Sequence, residues 1–253
     1  MASQPIYKFY AELLDYKPKI WRRFQVANNI TVARLGYILM SMFEMQANHL
    51  FCFDVPADLN FREYMKGRLT EKDFEEIFNK TDDESFGEKN CHYEILTEEM
   101  TDFRNNDDEK NLDATQYKIK DAVPYLRSQM NFNYDYGDDW NIHLVLEEII
   151  VDKDLSGKEL PRVLAGEGYG IIENCGGVPG LEDIARAFKK KRGKQYEEYC
   201  EWLGRDDLNL EAFDIDDANI RLQKVPRIYT DIYEYHISPT QKSIDFLDRK
   251  YKK

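Results

Sequence analysis

The sequence contains no pair of cysteines spaced as in a zinc finger or a redox motif. Its four cysteines, Cys52, Cys91, Cys175 and Cys200, lie far apart and form no Cys-X-X-Cys pair. Long apolar runs are also missing, since no stretch approaches the roughly 18 apolar residues that a membrane helix requires. The N-terminus lacks the basic start and apolar stretch of a signal peptide. These absences predict reduced thiols, no membrane association and a cytoplasmic location.

Positive charge is scarce as well. The chain has 35 Lys and Arg residues against 48 Asp and Glu residues, so its net charge is −13 at pH 7. This surplus opposes bulk attraction to nucleic acid or to anionic lipid, and any contact with nucleic acid would have to be local. Most of the surplus lies between Glu71 and Asp121. Hydrophobic residues make up 42% of the 253 positions, which is enough for a buried core.

The first sixty residues have the pattern of a sheet with one helix. Apolar and polar residues alternate over Ile6–Leu13 and again over Ile20–Val26, which is typical of strands. Lys17-Pro18 lies between them and suits a hairpin turn better than a strand interior. His49–Val55 reads as a third strand.

A helix is predicted between the second and third strands. Asn29 or Thr31 can cap it, and apolar residues from Val32 to Phe43 recur every three or four positions. The resulting apolar stripe should pack on the sheet. The chain therefore predicts an α+β protein whose N-terminal β-β-α-β unit forms a mostly antiparallel sheet, with a later hairpin joining it and helices packed on it.

The middle of the chain is less regular. Residues 56–121 read as an acidic insertion of helix and loop, with a helix near Glu71–Phe78 and loops at TDDES and NNDDEK. Two strands of a hairpin are expected in Phe132–Ile150, around a turn at Gly137-Asp138. Leu160–Gly180 is rich in glycine and without periodicity, so we expect a long loop.

Two helices should follow the glycine-rich loop. The first begins at Leu181 and continues through Phe188, and the second contains Tyr196 and Leu203 and ends at Gly204. We interpret residues 1–225 as a single domain and residues 226–253 as a C-terminal tail.

Four stretches in sequence order resemble one known family. They are KPKIWRRFQV (Lys17–Val26), HLFCFDV (His49–Val55), NFNYDYGDDWNIHLVLE (Asn131–Glu147) and PRVLAGEGYGIIENCGGVPGLED (Pro161–Asp183). Together they are similar to the plasmid Ri (pRiA4b) ORF-3-like family, and the resemblance extends from about Ile6 to Leu222. It implies a plasmid or mobile-element setting without an established activity. Some members are labelled resolvases, but the sequence presents no serine beside clustered arginines, and we do not adopt that label.

Two positions depart from the family pattern. Members place a histidine two residues after the hairpin tryptophan, whereas Ile142 stands there and His143 follows on the opposite face. Cysteines that members carry in the loop before the Cys-Gly-Gly motif correspond here to Val163 and Gly170. A cysteine-ligated metal is therefore not expected from the resemblance.

Carboxylates near the predicted hairpin form the first candidate site. Asp135, Asp138 and Asp139 surround the turn, and Glu173 in the glycine-rich loop could join them as a metal ligand or as an acid or base. His49 is a candidate base near the third strand. The other interpretation is that the aspartates shape the turn through hydrogen bonds to the backbone. Catalytic candidates are thus these five residues, and metal candidates are Asp135, Asp138 and Glu173.

Three further features each allow a functional and a structural interpretation. Cys175 precedes a glycine pair and a helix, so it is either a reactive thiolate or a small buried side chain. Arg22 and Arg23 lie on opposite faces of a strand, and one of them could form an ion pair with Asp135 or Asp138. A basic cluster could hold phosphate or simply end a helix in solvent; it contains Lys189, Lys190, Lys191 and Arg192.

Three functions remain open at this point. The favoured hypothesis is an interaction module of mobile-element type without catalysis of its own, which binds a protein or nucleic-acid partner. The first alternative is a metal-dependent hydrolase or nuclease that uses the carboxylates. The second is a DNA-binding accessory protein. No cofactor is predicted, although a divalent metal fits the carboxylates. The oligomeric state cannot be read from the sequence.

Overall fold

The protein is known from a computed structural model, which describes residues 4–78, 89–96, 109–152, 155 and 157–247. The TDDES loop and most of the NNDDEK loop lie outside the described residues. Within the described part of the chain, no helix has the length and apolar character needed to cross a membrane.

One eight-stranded sheet organises the molecule. Its strands are β1 (Ile6–Leu13), β2 (Trp21–Ala27), β3 (Phe51–Val55), β4 (Asn90–Glu94), β5 (Glu109–Asp113), β6 (Gln129–Tyr134), β7 (Trp140–Ile150) and β8 (Arg162–Glu167). Their order across the sheet is β5-β4-β3-β6-β7-β1-β2-β8, and each neighbouring pair is antiparallel except β4 and β5. The prediction of an α+β fold with a mostly antiparallel sheet is confirmed.

Helices lie between and after these strands. Those of the described residues are α1 (Val32–Met42), α2 (Ala57–Lys66), α3 (Glu71–Phe78), α4 (Ile119–Ala122), α5 (Gly177–Lys190), α6 (Lys194–Leu203), α7 (Ile215–Leu222), α8 (Val225–Tyr233) and α9 (Gln241–Leu247). The predicted helices at residues 71–78, 181–188 and 196–203 are therefore present. Gly204 ends α6 in the left-handed conformation, as expected.

Helix α1 is the centre of the core. Thr31 caps it by accepting a hydrogen bond from the backbone N–H of Arg34. Every residue of α1 except Arg34 is buried, because the helix contacts β3 on one side and α7 and α8 on the other. The sequence predicts a single apolar stripe on α1. The helix is instead apolar nearly all round, because it is covered on both sides.

The sheet has one buried face and one polar face. Alternate residues of β1, β6 and β7 are buried, and these include Phe9, Phe132 and Leu144. The residues between them are polar and partly exposed. Such alternation is what an antiparallel sheet with one solvated face requires.

The prediction of a long loop over residues 160–180 is wrong at both ends, and α5 begins at Gly177 instead of Leu181. Arg162–Glu167 forms β8, an edge strand that pairs with β2. The sequence of β8 does not alternate between apolar and polar residues, because the small residues Ala165 and Gly166 lie opposite the two arginines of β2. A side chain at Gly166 would lie 2.9 Å from Cδ of Arg22 and 2.8 Å from the Phe213 ring.

The residues predicted to form a tail contain α8 and α9. Tyr229 of α8 is completely buried and donates a hydrogen bond to the carbonyl of Met45. The domain boundary at residue 225 stays a prediction.

Arg22 connects four parts of the fold through one buried guanidinium. It is 0% exposed and donates to the carbonyl oxygens of Met42 (3.0 Å), Trp21 (2.8 Å), Glu167 (2.7 Å), Gly168 (2.8 Å) and Tyr169 (2.9 Å). The Phe213 ring covers the guanidinium at 3.7 Å. Charge-assisted hydrogen bonds of this kind compensate for burying the charge. The end of α1 is thereby fixed to β2 and to the segment after β8.

The ion-pair partners expected for the two arginines are not the observed ones. Arg23, on the opposite face of β2, forms two hydrogen bonds with the carboxylate of Glu147, at 2.6 and 2.7 Å. Those bonds hold the pKa of Glu147 below its usual value. The hydrogen bonds of Arg22 go to backbone carbonyls instead of Asp135 or Asp138.

We expect Arg22→Lys to lower the free energy of unfolding by about 3–5 kcal/mol, because an ammonium group cannot reach five carbonyls and leaves several unsatisfied. The matched control is Arg23→Lys, which changes a partly exposed ion pair and should cost about 1 kcal/mol or less. Urea denaturation of both variants measures the difference. Equal losses would contradict this role for Arg22.

Candidate functional site

Glu173 is the centre of a buried hydrogen-bond network. Its Oε1 accepts from the backbone N–H of Gln46 and from the hydroxyl of Tyr134, both at 2.5 Å. Its Oε2 accepts from the side-chain amide of Asn48 at 3.1 Å. The carboxylate therefore connects the loop after β8 to the segment before β3 and to the end of β6.

His49 lies between two of the predicted carboxylates. Its Nε2 is 3.4 Å from Oδ2 of Asp135 and 3.9 Å from Oε2 of Glu173. The Tyr134 ring packs edge-on against the imidazole at 5.7 Å. Asp135 also accepts from the backbone N–H of Gly137 through Oδ1. The structure thus brings together His49, Asp135 and Glu173 of the five predicted residues.

Asp138 and Asp139 have other surroundings. Oδ2 of Asp138 accepts from the backbone N–H of Gly176 at 3.3 Å, so it joins the hairpin turn to the glycine pair. Asp139 turns to the polar face of the sheet, where its Oδ1 accepts from the side chains of Asn133 and Asn141. Each predicted aspartate thus accepts at least one hydrogen bond or lies beside His49. Their assignment as catalytic or metal-binding residues stays a prediction.

The Cys-Gly-Gly motif shapes a close contact between two segments. Gly177 has φ +68°, and a Cβ at this position would lie 2.5 Å from the carbonyl oxygen of Asp138. Cys175 is half-buried beside this contact. Burial, together with the negative charge of Asp138, raises the pKa of the Cys175 thiol to about 12 from an ordinary value of 9.0. The thiol is therefore protonated at neutral pH, which disfavours its use as a nucleophile.

A cavity borders the buried network. It has a volume of 410 Å³ and lies between the segment around Glu173 and helix α6. Trp202 and Arg205 line it from the side of α6, and Glu44 and Gln46 line it from the end of α1.

The basic cluster lies on the opposite end of α5 from the Cys-Gly-Gly motif. Lys189 and Lys190 belong to the last turn of α5, Lys191 caps it in the left-handed conformation, and all four residues of the cluster are exposed. Lys189 and Lys191 line a groove of 530 Å³ together with Lys17. Basic side chains at a helix C-terminus also interact favourably with the helix dipole.

A third surface went unnoticed in the sequence. We call it the polar face, meaning the solvent-side residues of β1, β2, β3, β4, β6 and β7. Its members are Lys8, Tyr10, Glu12, Trp21, Arg23, Cys52, Asp54, His92, Glu94, Gln129, Asn131, Asn133, Asn141, His143 and Glu147. The alternation of β1 and β2 predicts part of this face. The strand order that makes it continuous cannot be read from the sequence.

Glu173→Gln tests whether the buried carboxylate is structural. A glutamine keeps one carbonyl oxygen but turns its amide group toward at least one of the donors that Glu173 accepts from. We expect the free energy of unfolding to fall by about 1–3 kcal/mol. Glu148→Gln is the control, since Glu148 is half exposed and pairs with Lys8 on the surface. Unchanged stability of Glu173→Gln in urea denaturation would contradict the structural role.

The fold and these contacts define a class before any comparison: an α+β protein with a single half-covered sheet, whose loop after β8 is fixed to a hairpin turn. The family model described as plasmid pRiA4b ORF-3-like protein matches residues 5–221. The chain therefore belongs to the plasmid pRiA4b ORF-3-like family, as its four motifs indicate.

A solved structure has the same fold. It is the crystal structure of a protein of unknown function, MM3350, from Methanosarcina mazei Go1, with a TM-score of 0.62 and 23% sequence identity. The match covers 85% of this chain and 98% of that chain. At this identity the likeness shows the fold alone. No curated protein matches the chain.

Proposed function

We propose that the chain is an interaction module without catalysis of its own, which holds a protein partner on its polar face. The observation that carries the proposal is a cluster of aromatic and arginine side chains on β1 and β2. Tyr10 and Trp21 stack with their ring centroids 5.7 Å apart, and the guanidinium of Arg23 lies 5.6 and 5.4 Å from the two rings. We call these three residues the aromatic cluster.

The composition of the aromatic cluster favours a protein partner. Tryptophan, tyrosine and arginine contribute most of the binding energy at protein interfaces, and Lys and Glu contribute less. An antiparallel sheet with one solvated face is common, so the exposure of the face alone would carry little weight. The fixed orientation of Arg23 is stronger evidence for a binding surface. Its two hydrogen bonds with Glu147 already restrict the side chain, so Arg23 would lose less conformational entropy on binding a partner.

A depression beside the aromatic cluster offers room for partner side chains. It has a volume of 580 Å³ and is lined by Arg23, Arg127, Gln129, Val145 and Glu147, together with Lys8. Its lining carries both positive and negative groups, and Val145 adds an apolar side chain. Mixed charge of this kind suits a protein surface better than a phosphate backbone, which a net charge of −13 already repels.

The surroundings of the predicted carboxylates support binding over metal-dependent hydrolysis. The described residues contain one group of three potential ligands within 4.8 Å of one another, and it does not include Asp135, Asp138 or Glu173. Both oxygens of Glu173 already accept hydrogen bonds from the chain. Oε1 accepts two of these hydrogen bonds and Oε2 accepts one, so a metal at this site would have to share the carboxylate with those donors.

The cytoplasmic location and the mobile-element setting belong to the proposal. The mobile-element setting rests on the family description, which refers to a plasmid.

Truncation of the aromatic cluster tests the proposal. Loss of an interface tryptophan costs about 2 kcal/mol or more, so Trp21→Ala should weaken partner binding by about thirtyfold. Trp202→Ala is the control, since Trp202 also lies beside a tyrosine, Tyr199, at 6.2 Å, and is exposed, whereas Trp21 is partly buried. The full chain is used for affinity purification from its source cells, and recovered proteins are quantified by mass spectrometry.

A partner retained by Trp202→Ala and lost by Trp21→Ala is the expected result. The reverse pattern would place binding at the cavity near α6, and equal recovery with both variants would contradict the proposal. Thermal denaturation of each variant shows that its fold is intact.

DNA binding is a second candidate, favoured by the groove that Lys17, Lys189 and Lys191 share. If the chain binds duplex DNA, its association constant should fall as salt is added. A plot of the logarithm of this constant against the logarithm of the salt concentration should have a slope of about −0.9 per phosphate contacted. Lys190→Glu should then weaken DNA binding. The control is Lys66→Glu, because Lys66 is exposed at the end of α2 and lies outside the basic cluster. This variant should weaken DNA binding less. Fluorescence anisotropy measures both. Binding that is absent, or independent of salt, removes this candidate.

A further inference from the structure

Strands β3 and β4 bring four potential metal ligands to one edge of the polar face. The two strands pair so that Cys52 lies opposite Glu94, and Asp54 lies opposite His92. Residues two apart in a strand point to the same side, so all four side chains share one face. The intervening side chains of Phe53 and Tyr93 are buried on the other face.

The distances between these side chains suit a metal ion. One potential ligand atom from each of Cys52, Asp54 and His92 lies within 4.8 Å of the other two. Nδ1 of His92 is 2.6 Å from Oδ1 of Asp54. Bonds of about 2.0–2.3 Å to a tetrahedral zinc ion place ligand atoms roughly 3.3–3.8 Å apart. Small side-chain rotations therefore suffice to form the site.

We propose that Cys52, Asp54 and His92 bind a zinc ion through the thiolate, one carboxylate oxygen and one imidazole nitrogen. The ion takes the place of the hydrogen between Asp54 and His92, the neutral imidazole keeps its hydrogen on Nε2, and the thiol proton of Cys52 is released to solvent. A thiolate and an imidazole are ligands that select zinc over magnesium or calcium, which prefer sets of oxygen atoms. Three protein ligands leave a fourth tetrahedral position for water.

Burial and neighbouring groups support a built site. Cys52 is 5% exposed and Glu94 is 2% exposed, whereas the side chain of Asp54 is 50% exposed. The ion can thus enter from the side of Asp54 and reach a sheltered thiol. Glu94 has its Oε2 4.0 Å from Nε2 of His92, and its Oε1 accepts from the hydroxyl of Tyr136 at 2.8 Å. We assign Glu94 and Tyr136 the role of positioning residues around the ligands.

Cobalt substitution tests the site directly. The full-length chain is stripped with EDTA, reduced and titrated with Co²⁺, because a thiolate ligand to Co²⁺ produces a charge-transfer band in the near ultraviolet. We expect one equivalent of Co²⁺ to produce this band and one equivalent of Zn²⁺ to remove it. Zn²⁺ should also raise the melting temperature, since it binds the folded chain.

Variants separate this site from adventitious thiol binding. Cys52→Ser should abolish the band, and Asp54→Asn and His92→Asn should weaken Co²⁺ binding at least tenfold. Cys91→Ser is the matched control, because Cys91 belongs to β4 and is next to His92 in sequence but packs against the core on the other face. It should leave the band and the affinity unchanged.

Two results would overturn the proposal: the absence of a one-to-one charge-transfer band, or a band that survives in Cys52→Ser. Asp54 is half exposed, so Asp54→Asn should remain folded and gives an independent test if Cys52→Ser does not fold. Trp21→Ala should bind Co²⁺ like the unmodified chain, because the aromatic cluster lies on different strands. The zinc site and the partner-binding proposal can therefore fail separately.

Discussion

The buried guanidinium of Arg22 is the contact on which the arrangement of the fold depends. A charge without exposure to solvent is stable only if its donors are satisfied, and here five backbone carbonyls satisfy them. Those carbonyls belong to β2, to the end of α1, to the last residue of β8 and to the segment after β8. Arg22 thus fixes the start of the segment that runs from β8 to Glu173. Glu173 fixes the other end of this segment through its own hydrogen bonds.

One step along β2, from Arg22 to Arg23, separates the core from the surface. Arg22 points into the core, and Arg23 points to the polar face, where Glu147 and two aromatic rings hold it. The period of a strand makes this separation unavoidable, so the Trp-Arg-Arg motif necessarily supplies both faces. Its first arginine stabilises the fold, whereas its tryptophan and second arginine belong to the surface that we propose for partner binding.

Sequence reasoning reached the elements whose pattern is local. Alternation in β1 and β2 and the Gly204 stop each depend on a few neighbouring residues and are predicted from them, and the cap at Thr31 is one of the two that the sequence allows, the other being Asn29. Strand β8 was missed because small residues opposite the arginines remove its alternation. His49, Asp135 and Glu173 are candidates from their motifs, and the structure places them close together. Their functional role stays a prediction, and their contacts depend on tertiary structure that the sequence does not show. The Cys52, Asp54 and His92 group was missed because its ligands lie on two strands separated by the chain from residue 56 to residue 89.

The burial of some side chains of the polar face requires a physical explanation. Most polar-face side chains are partly exposed, which costs little because water satisfies them. Cys52 and Glu94 differ, since both are almost completely buried at the edge of that face. Burying a carboxylate is costly unless hydrogen bonds or a cation compensate, and Tyr136 supplies one such bond to Glu94. A bound zinc ion would supply the positive charge as well. Because β3 pairs with β6, the zinc ion would also stabilise β6 and the hairpin turn that follows it. The zinc site would thereby be linked to the Glu173 network, and neither site would need to be catalytic.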